Sequence, residues 1–325
     1  MSQLRLDPMT GRWVVIAGER AQRPSDFLPR RLPVEDDPLR PCPFCPGSSY
    51  EPVIERVDSQ GNWAVRVVPN LYPAFGGHDP MVVTHLGPVF TQAPASGVHD
   101  VIVLSPDHNV SWADMDAEHS ALIMSAIKER MLEHSALPGL RYSQAVVNSG
   151  REAGASIEHP HGQLLSMPFI PGEAANELAG FARFQGNCLL CAVMDAEAEV
   201  GHRVVYEDDC VVMLCPFWSG TPYELLLIPK NHEVHLHAAP DEDLAAMGHS
   251  VQVALASLRT RLGDVAYNLM FHSAPFRTTA DFHWHVHVVP KISTRGGFEM
   301  GSGVLINVVP PERAAEDLKS AFAPA

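Results

Sequence analysis

The residues best suited to chemistry in this sequence lie at positions 156–163, which read SIEHPHGQ. The proline between the two histidines fixes its own φ and biases the residue before it toward extended backbone. Since residues two apart in an extended chain point to the same face, we expect His159, His161 and Gln163 to line one surface. Gly162 is expected to leave room beside His161 for a ligand. A rigid backbone, an open side and a nearby amide suit an imidazole that attacks a phosphate, so His161 is the predicted nucleophile and Gln163 the amide donor.

Two Cys-x-x-Cys pairs, at 42/45 and 188/191, indicate metal binding, and the chain also holds 17 histidines. A two-residue gap lets both thiolates reach one Zn²⁺, and in a reducing compartment such pairs favour metal over disulfides. Each predicted site has two thiolates and two imidazoles, a closed set of the kind that is usually structural. The sets are Cys42, Cys45, His108 and His159 for the first site, and Cys188, Cys191, His232 and His283 for the second. Cys210 and Cys215 lack this spacing and are expected to be small buried hydrophobic residues.

An internal repeat relates the two halves of the chain. Five polar positions in the first half each have a histidine 124 positions later. The matched pairs are 108 and 232, 148 and 272, 159 and 283, 161 and 285, and 163 and 287. This register predicts a duplicated αβ module. We therefore expect an α+β fold of two histidine-bearing modules with antiparallel sheets and helices: residues 1–172 with the nucleophile and the first zinc site, and residues 173–325 with the second metal site.

Apolar patterning predicts the elements that position these residues. Helices are expected at 116–134, 173–184 and 240–262, and strands at 12–17, 53–57, 64–68, 101–104, 142–148, 203–206, 211–214, 223–228, 267–272 and 282–289. In the last strand the histidines at 283, 285 and 287 alternate with apolar residues, so we expect all three on one face. His285 is not expected to be a second nucleophile, because Val286 replaces the glycine that follows His161.

Composition disfavours several classes of function. An apolar share of 46% and a charged share of 19% describe a globular protein with a sizeable core. The net charge of −15 argues against a nucleic-acid partner, although a few arginines can still bind a small phosphorylated ligand. There is no apolar run of about 18 residues, and the first residues, MSQLR, lack the apolar core of a signal peptide. We therefore expect no membrane association and a cytoplasmic location.

These motifs together resemble the galactose-1-phosphate uridylyltransferase family of the histidine-triad superfamily. The resemblance covers nearly the whole chain. Its motifs are Arg-Ala-x-Arg-Pro at 20–24, Cys-x-x-Cys-Pro-Gly at 42–47, Ser-Pro-Asp-His at 105–108, His-Pro-His-Gly-Gln at 159–163 and the C-terminal histidine strand. It implies that His161 becomes covalently nucleotidylated and that Gln163 binds the phosphoryl oxygens. It also implies that Arg20 and Arg23 bind phosphate, that Asn148 and Ser156 line the site, and that both subunits of a homodimer contribute to nucleotide binding.

The sequence also departs from that family. The best-known uridylyltransferases have tryptophan where Ser25 follows Arg-Pro, lack the second Cys-x-x-Cys, and bind a second metal through a glutamate and three histidines. The matching positions here are Glu177, His272, His285 and His287. For the second metal, zinc or iron, we expect the cysteine set to be used instead, because thiolates hold zinc more tightly than a carboxylate does. Ser25, the second cysteine pair and residues 297–303 (GFEMGSG) resemble a branch that includes ADP-glucose phosphorylases.

The leading functional prediction is a UDP-glucose–hexose-1-phosphate uridylyltransferase of galactose metabolism. His161 would take a nucleotidyl group from a nucleotide sugar and pass it to a sugar 1-phosphate. Two alternatives stay open. One is an ADP-sugar phosphorylase, which transfers an adenylyl group to phosphate, and the other is a zinc-stabilised nucleotide-binding protein without turnover.

Overall fold

The computed structural model describes residues 2–22, 32, 34, 41–47, 50–77 and 81–322. In this part of the chain the fold is α+β with antiparallel sheets, as predicted. The strands are β1 (Gln3–Leu6), β2 (Trp13–Ile16), β3 (Ile54–Val57), β4 (Trp63–Pro69), β5 (Thr84–Leu86), β6 (Phe90–Gln92), β7 (Val98–Val103), β8 (Tyr142–Ser149), β9 (His161–Met167), β10 (Val204–Glu207), β11 (Val211–Leu214), β12 (Leu225–Pro229), β13 (Tyr267–His272), β14 (His285–Pro290) and β15 (Leu305–Asn307). The helices are α1 (Ala117–Ser135), α2 (Gly172–Arg183), α3 (Leu189–Val200), α4 (Asp241–Leu262), α5 (Gly297–Ser302) and α6 (Pro311–Lys319).

One ten-stranded antiparallel sheet runs through both halves of the chain. Its strand order is β10-β11-β12-β14-β13-β8-β9-β7-β4-β3. The first half supplies the five strands on one side and the second half the five on the other. They meet where β13 pairs with β8, in a register from Tyr267 opposite Ser149 to Phe271 opposite Ala145. Each half therefore contributes the same succession of strands, as expected of a duplicated module, while the boundary after residue 172 stays a prediction.

The two long helices cover one face of this sheet. α1 and α4 pack against each other, and Ile123 of α1 and Val251 of α4 share a buried core with Leu164 of β9 and Val286 of β14. Because side chains alternate along a strand, the histidines at which β9 and β14 begin point to the opposite face. The predicted helices and the strands of the large sheet agree with these elements to within a few residues. Among the described residues, no helix has the length and apolar character that a membrane span requires.

The N-terminal strands associate with the end of the chain. β1 pairs antiparallel to β2, and β15 pairs parallel to β2, which gives a separate three-stranded sheet. The sequence predictions contain β2 but neither β1 nor β15, and they also omit the β5–β6 hairpin and helices α3, α5 and α6. The first residues of the predicted N-terminal module thus pack with the last strand of the C-terminal one.

One expectation for β14 is wrong. A single strand over 282–289 would place three histidines on one face, but β14 begins at His285. The His283 ring instead donates from Nε2 to the carbonyl oxygen of Pro229 at 2.9 Å, which separates it from His285 and His287. The same contact recurs in the first half, where His159 precedes β9 and donates from Nε2 to the Ser105 carbonyl oxygen at 2.8 Å.

Helix α2 packs closely on the N-terminal segment at Gly180. A Cβ at this position would overlap with the backbone carbonyl of Met9. We expect Gly180→Ala to lower the free energy of unfolding by about 1–3 kcal/mol, because overpacking outweighs the gain of about 1 kcal/mol that alanine has over glycine in a helix. Urea unfolding measures this change.

The matched control is Gly172→Ala, at the first residue of the same helix, where no atom lies within 4 Å of the added Cβ. This variant should stay within about 0.5 kcal/mol of the parent protein. Equal stabilities for the two variants would contradict the close packing of α2 on Met9.

Candidate active site and metal clusters

The predicted nucleophile, His161, has a defined protonation state. It is the first residue of β9 and only 7% exposed. Its Nδ1 lies 2.8 Å from the backbone carbonyl oxygen of His159, and because that oxygen can only accept, Nδ1 carries the proton. Burial lowers the pKa of His161 below its usual value. The ring is therefore neutral near pH 7, with its lone pair on Nε2.

A cavity of about 240 Å³ lies beside His161. Asn148 lines it, and Asn148 Oδ1 accepts a hydrogen bond from Asn268 Nδ2 at 2.7 Å, which leaves the Asn148 amide NH₂ group for a ligand. Asp264 and Tyr267 also line the cavity, and neither is among the site residues predicted from sequence. They come from the second half of the chain, next to β13, and no local pattern joins them to the motif at 156–163.

The expected role of Gly162 is wrong. A Cβ at Gly162 would lie 3.0 Å from the carbonyl oxygen of Val146 and 3.2 Å from Val147 Cγ2, both on the neighbouring strand β8. This side of β9 is the buried one, opposite to His161. The missing side chain therefore lets β8 approach β9 and does not open space for a ligand.

The other predicted substrate-binding residues lie in different places. Gln163 is on the same face of β9 as His161. Ser156 is exposed in the segment before β9, outside the lining of the His161 cavity. Arg20 is exposed and lines a separate open cavity with Phe298 and Glu299. Arg23 lies outside the described residues, so its predicted phosphate contact stays a prediction.

The first cysteine–histidine set comes together as one cluster. His108 Nδ1 lies 3.4 Å from Cys45 Sγ, and His159 Nδ1 lies 3.7 Å from Cys42 Sγ and 3.6 Å from Cys45 Sγ. Tetrahedral zinc with these ligands places sulfur and nitrogen atoms about 3.5 Å apart. The His159 ring donates from Nε2 to Ser105, so its Nδ1 lone pair faces the thiolates. The donor set and spacing therefore fit zinc.

The second cysteine–histidine set has the same arrangement. His283 Nδ1 lies 3.6 Å from both Cys188 Sγ and Cys191 Sγ, and His232 Nδ1 lies 3.7 Å from Cys191 Sγ. The hydrogen bond from His283 Nε2 to the Pro229 carbonyl oxygen again leaves Nδ1 for the cluster. These four residues also fit a tetrahedral zinc site.

The glutamate–histidine set forms a third cluster, distinct from both cysteine sets. Its members are Glu177, His272, His285 and His287, and their candidate ligand atoms lie within 4.8 Å of one another. From sequence, this set is an alternative to the second cysteine set, but the structure forms both as separate clusters. Helix α2 and strands β13 and β14 supply the glutamate and the three histidines, whereas the cysteines lie at the start of α3. A metal bound by the thiolates of the second cysteine set would therefore leave all four groups of the glutamate–histidine set available. Which of the two sets binds the second metal stays a prediction.

The third cluster has the electrostatics of a metal site. The buried His285 donates from Nδ1 to the His283 carbonyl oxygen at 2.8 Å, and its Nε2 has no hydrogen-bond partner among the described residues. A Glu177 carboxylate oxygen lies 2.8 Å from His272 Nδ1. Although burial raises it, the charges of the neighbouring histidines, His272 above all, bring the pKa of Glu177 down to about 2. One carboxylate and three imidazoles suit zinc or iron, and the unpartnered Nε2 is free to bind it.

Phe44 connects the first cysteine cluster to the nucleophile. It lies between Cys42 and Cys45 in the chain, and its ring centroid is 5.3 Å from that of His161 and 6.0 Å from that of His159. A metal bound by the two cysteines would hold Phe44 against the His161 ring. The closed cluster would thus position the reacting group without contacting the substrate.

Comparison with known sequences shows the family of this chain. The family model described as galactose-1-phosphate uridyl transferase, N-terminal domain, matches residues 1–171, and a model of a domain of unknown function, DUF4921, matches residues 91–323. An ADP-glucose phosphorylase of Arabidopsis thaliana is 34% identical over 98% of this chain and 92% of the relative. A galactose-1-phosphate uridylyltransferase of Thermotoga maritima is 28% identical over 98% of each chain.

Solved structures match the whole fold. The crystal structure of an ADP-glucose phosphorylase from Arabidopsis thaliana with bound ADP-glucose superposes with a TM-score of 0.83 and 31% identity, covering 98% of this chain and 99% of that one. A uridylyltransferase structure gives a TM-score of 0.77 at 25% identity, covering 99% and 98%. The fold is thus shared with enzymes that transfer nucleotidyl groups. The chain belongs to the galactose-1-phosphate uridyl transferase family.

Replacing one thiolate should remove one metal ion and disturb the nucleophile. We expect Cys45→Ser to bind one metal ion fewer per chain than the parent protein and to react at His161 at least about 10-fold more slowly, because Phe44 and His159 lose their anchor. Elemental analysis by mass spectrometry counts the metal. Cys210→Ser, which alters a cysteine outside the three clusters, should change neither quantity, and equal metal content in both variants would contradict the zinc assignment.

The third cluster should hold a metal that thiol reagents do not release. We expect Glu177→Gln to lower the metal content by one ion per chain, because a neutral amide binds a cation far more weakly than a carboxylate. Titrating the parent protein with an organomercurial should free only the two ions bound by cysteine. Complete release of all bound metal by the mercurial, with no effect of Glu177→Gln, would show that the cluster is a hydrogen-bond network only.

Proposed function

We propose that this protein is an ADP-sugar phosphorylase that works through a nucleotidyl group carried covalently on His161. In the first step Nε2 of His161 attacks the α-phosphorus of ADP-glucose. The nitrogen–phosphorus bond forms as the bond to the bridging oxygen breaks, and glucose 1-phosphate leaves. In the second step inorganic phosphate attacks the same phosphorus, which yields ADP and restores the neutral imidazole.

The hydrogen bond from His161 Nδ1 to the backbone carbonyl oxygen of His159 carries this proposal. Nδ1 donates to a backbone carbonyl, burial keeps the ring neutral, and the ring lines a cavity, so Nε2 is available as a nucleophile. The leaving sugar phosphate is already an anion of low basicity, so the reaction needs no strong general acid. The amide groups of Asn148 and Gln163 are the proposed donors to the phosphoryl oxygens, where charge develops.

Two features favour an adenine nucleotide with phosphate as the acceptor. The Arabidopsis thaliana ADP-glucose phosphorylase is 34% identical to this chain, against 28% for the Thermotoga maritima uridylyltransferase. The second Cys-x-x-Cys pair, which the best-known uridylyltransferases lack, belongs to a formed cluster here. Hexose-1-phosphate uridylyl transfer, the leading prediction from sequence, becomes the second candidate, and the family model over residues 1–171 supports it.

Intact-protein mass spectrometry separates these candidates. The protein is incubated with ADP-glucose or UDP-glucose in the absence of any acceptor, and the added mass identifies the nucleotide. We expect AMP to be added from ADP-glucose, and loss of the adduct when phosphate is supplied. UMP from UDP-glucose, released by galactose 1-phosphate, would favour the second candidate, and no adduct from either would leave a nucleotide-binding protein without turnover.

The nucleophile is tested by His161→Asn, which should abolish the adduct completely because asparagine cannot form the phosphoramidate bond. The matched control is His85→Asn, at an exposed histidine of β5, which should load as fast as the parent protein. An adduct that persisted in His161→Asn would assign the reaction to another side chain.

The predicted homodimer and cytoplasmic location stay predictions. Light scattering would measure the number of subunits.

A further inference from the structure

His99 contacts the proposed amide donor Gln163 from the adjacent strand. It lies on β7, opposite Leu165 of β9, so its side chain shares a face with Gln163, two residues away. The ring is 8% exposed, and its Nε2 lies 2.9 Å from Gln163 Oε1. No motif in the sequence marked this residue, because a single buried histidine within an apolar strand is usually part of the core.

A backbone amide determines which nitrogen of His99 is protonated. The N–H of Ala74 lies 3.0 Å from His99 Nδ1. Since a backbone N–H can only donate, Nδ1 must accept, and the proton of the neutral ring must be on Nε2. Nε2–H therefore donates to Gln163, and the Gln163 atom that faces His99 must be its oxygen. This assignment rests on the Ala74 donor together with the orientation of the Gln163 amide, whose Oε1 faces the ring.

The loop before Ala74 also contacts His99, through Asn70. The backbone N–H of Asn70 donates to the His99 carbonyl oxygen at 2.9 Å. Asn70 Oδ1 accepts from the N–H of Tyr72 at 2.9 Å, so its Nδ2 is directed at the ring and lies 3.1 Å from His99 Nε2. This contact brings two donors together and therefore opposes a proton on Nε2. The Nε2–H tautomer nevertheless satisfies the contacts with both Ala74 and Gln163, whereas the Nδ1–H tautomer would satisfy only the contact with Asn70.

We infer that His99 is a positioning residue that orients the Gln163 amide so that its NH₂ group faces the phosphoryl oxygens at His161. The hydrogen-bond chain runs from Ala74 N–H to His99 Nδ1, and from His99 Nε2–H to Gln163 Oε1. With its oxygen held at His99, the Gln163 amide directs its NH₂ group away from His99, toward the face that it shares with His161. A free glutamine would present its oxygen to the substrate about as readily, which would repel the phosphoryl group. The inference rests on the proposed function, because the oriented donor matters only if a phosphoryl group reacts at His161.

Rapid-quench measurement of nucleotide loading onto His161 tests the inference in a single turnover. We expect His99→Ala to slow loading by about 10- to 100-fold, with the half-saturating concentration of the nucleotide sugar changed by less than about 3-fold, because only the donor orientation in the transition state is lost. His99→Gln should recover most of the rate, since its amide nitrogen occupies the position of Nε2 and still donates. A purely structural role for His99 would not distinguish these two variants in this way.

A double-mutant cycle shows whether His99 acts through Gln163. Gln163→Ala alone should slow loading by about 100-fold. In that background His99→Ala should cause no further loss beyond about 2-fold, because the group that it orients is already absent. Independent, multiplicative effects would overturn the inference. Leu165→Ala, which truncates the residue opposite His99 without touching the hydrogen-bond chain, is the packing control and should load within about 3-fold of the parent rate.

A second measurement does not depend on activity. Nitrogen-15 imidazole spectra of the parent protein should show His99 as the Nε2–H tautomer, and the side-chain amide signals of Gln163 should shift in His99→Ala. An Nδ1–H tautomer would overturn the inference even if loading is normal. If the parent protein loads no nucleotide from any sugar, the proposed function fails, whereas normal loading by His99→Ala shows failure of the positioning role alone.

Discussion

Two backbone carbonyl groups determine which ring nitrogen each histidine of the site can use. The Ser105 carbonyl oxygen accepts a hydrogen bond from His159 Nε2, which turns Nδ1 toward the thiolates. The His159 carbonyl oxygen accepts one from His161 Nδ1, which leaves Nε2 for the cavity. His159 therefore belongs to the cysteine–histidine cluster through its ring and orients the proposed nucleophile through its backbone. Strand geometry alone would leave both rings free to rotate about χ2, so cluster and nucleophile depend on the same short segment.

The second half of the chain repeats this arrangement and arrives at a different result. His283 and His285 make the same two hydrogen bonds, to Pro229 and to the His283 backbone. Here, however, the free Nε2 of the second histidine is buried in a cluster with Glu177. The same local geometry thus places the proposed nucleophile beside a cavity in one half and a candidate metal ligand in a buried cluster in the other. The difference comes from helix α2, which places Glu177 beside His285 in the second half.

Much of this arrangement could be predicted from sequence, because its signals are local or repeated. The two cysteine pairs, the offset between the halves and the periodicity of the long helices are of this kind. The pairing of β15 with β2 is not, since it joins residues almost a chain length apart without a local pattern. The role of Gly162 also depends on a neighbour, because only the position of β8 shows which side of the glycine is crowded. His99 resembled a core residue for the same reason, because its proposed role depends on contacts with Ala74 and Gln163, which lie on other segments.

The junction of β8 with β13 has an evolutionary consequence. Each of these strands forms the border of its own half, and their pairing is all that joins the two five-stranded parts into one sheet. A lone ancestor of one module would have carried an open row of N–H and C=O groups along that border. Two identical copies could have satisfied those groups by joining border to border, antiparallel, as the two halves do now. Gene fusion would then have made a symmetric pair into one polypeptide, after which each copy was free to specialise.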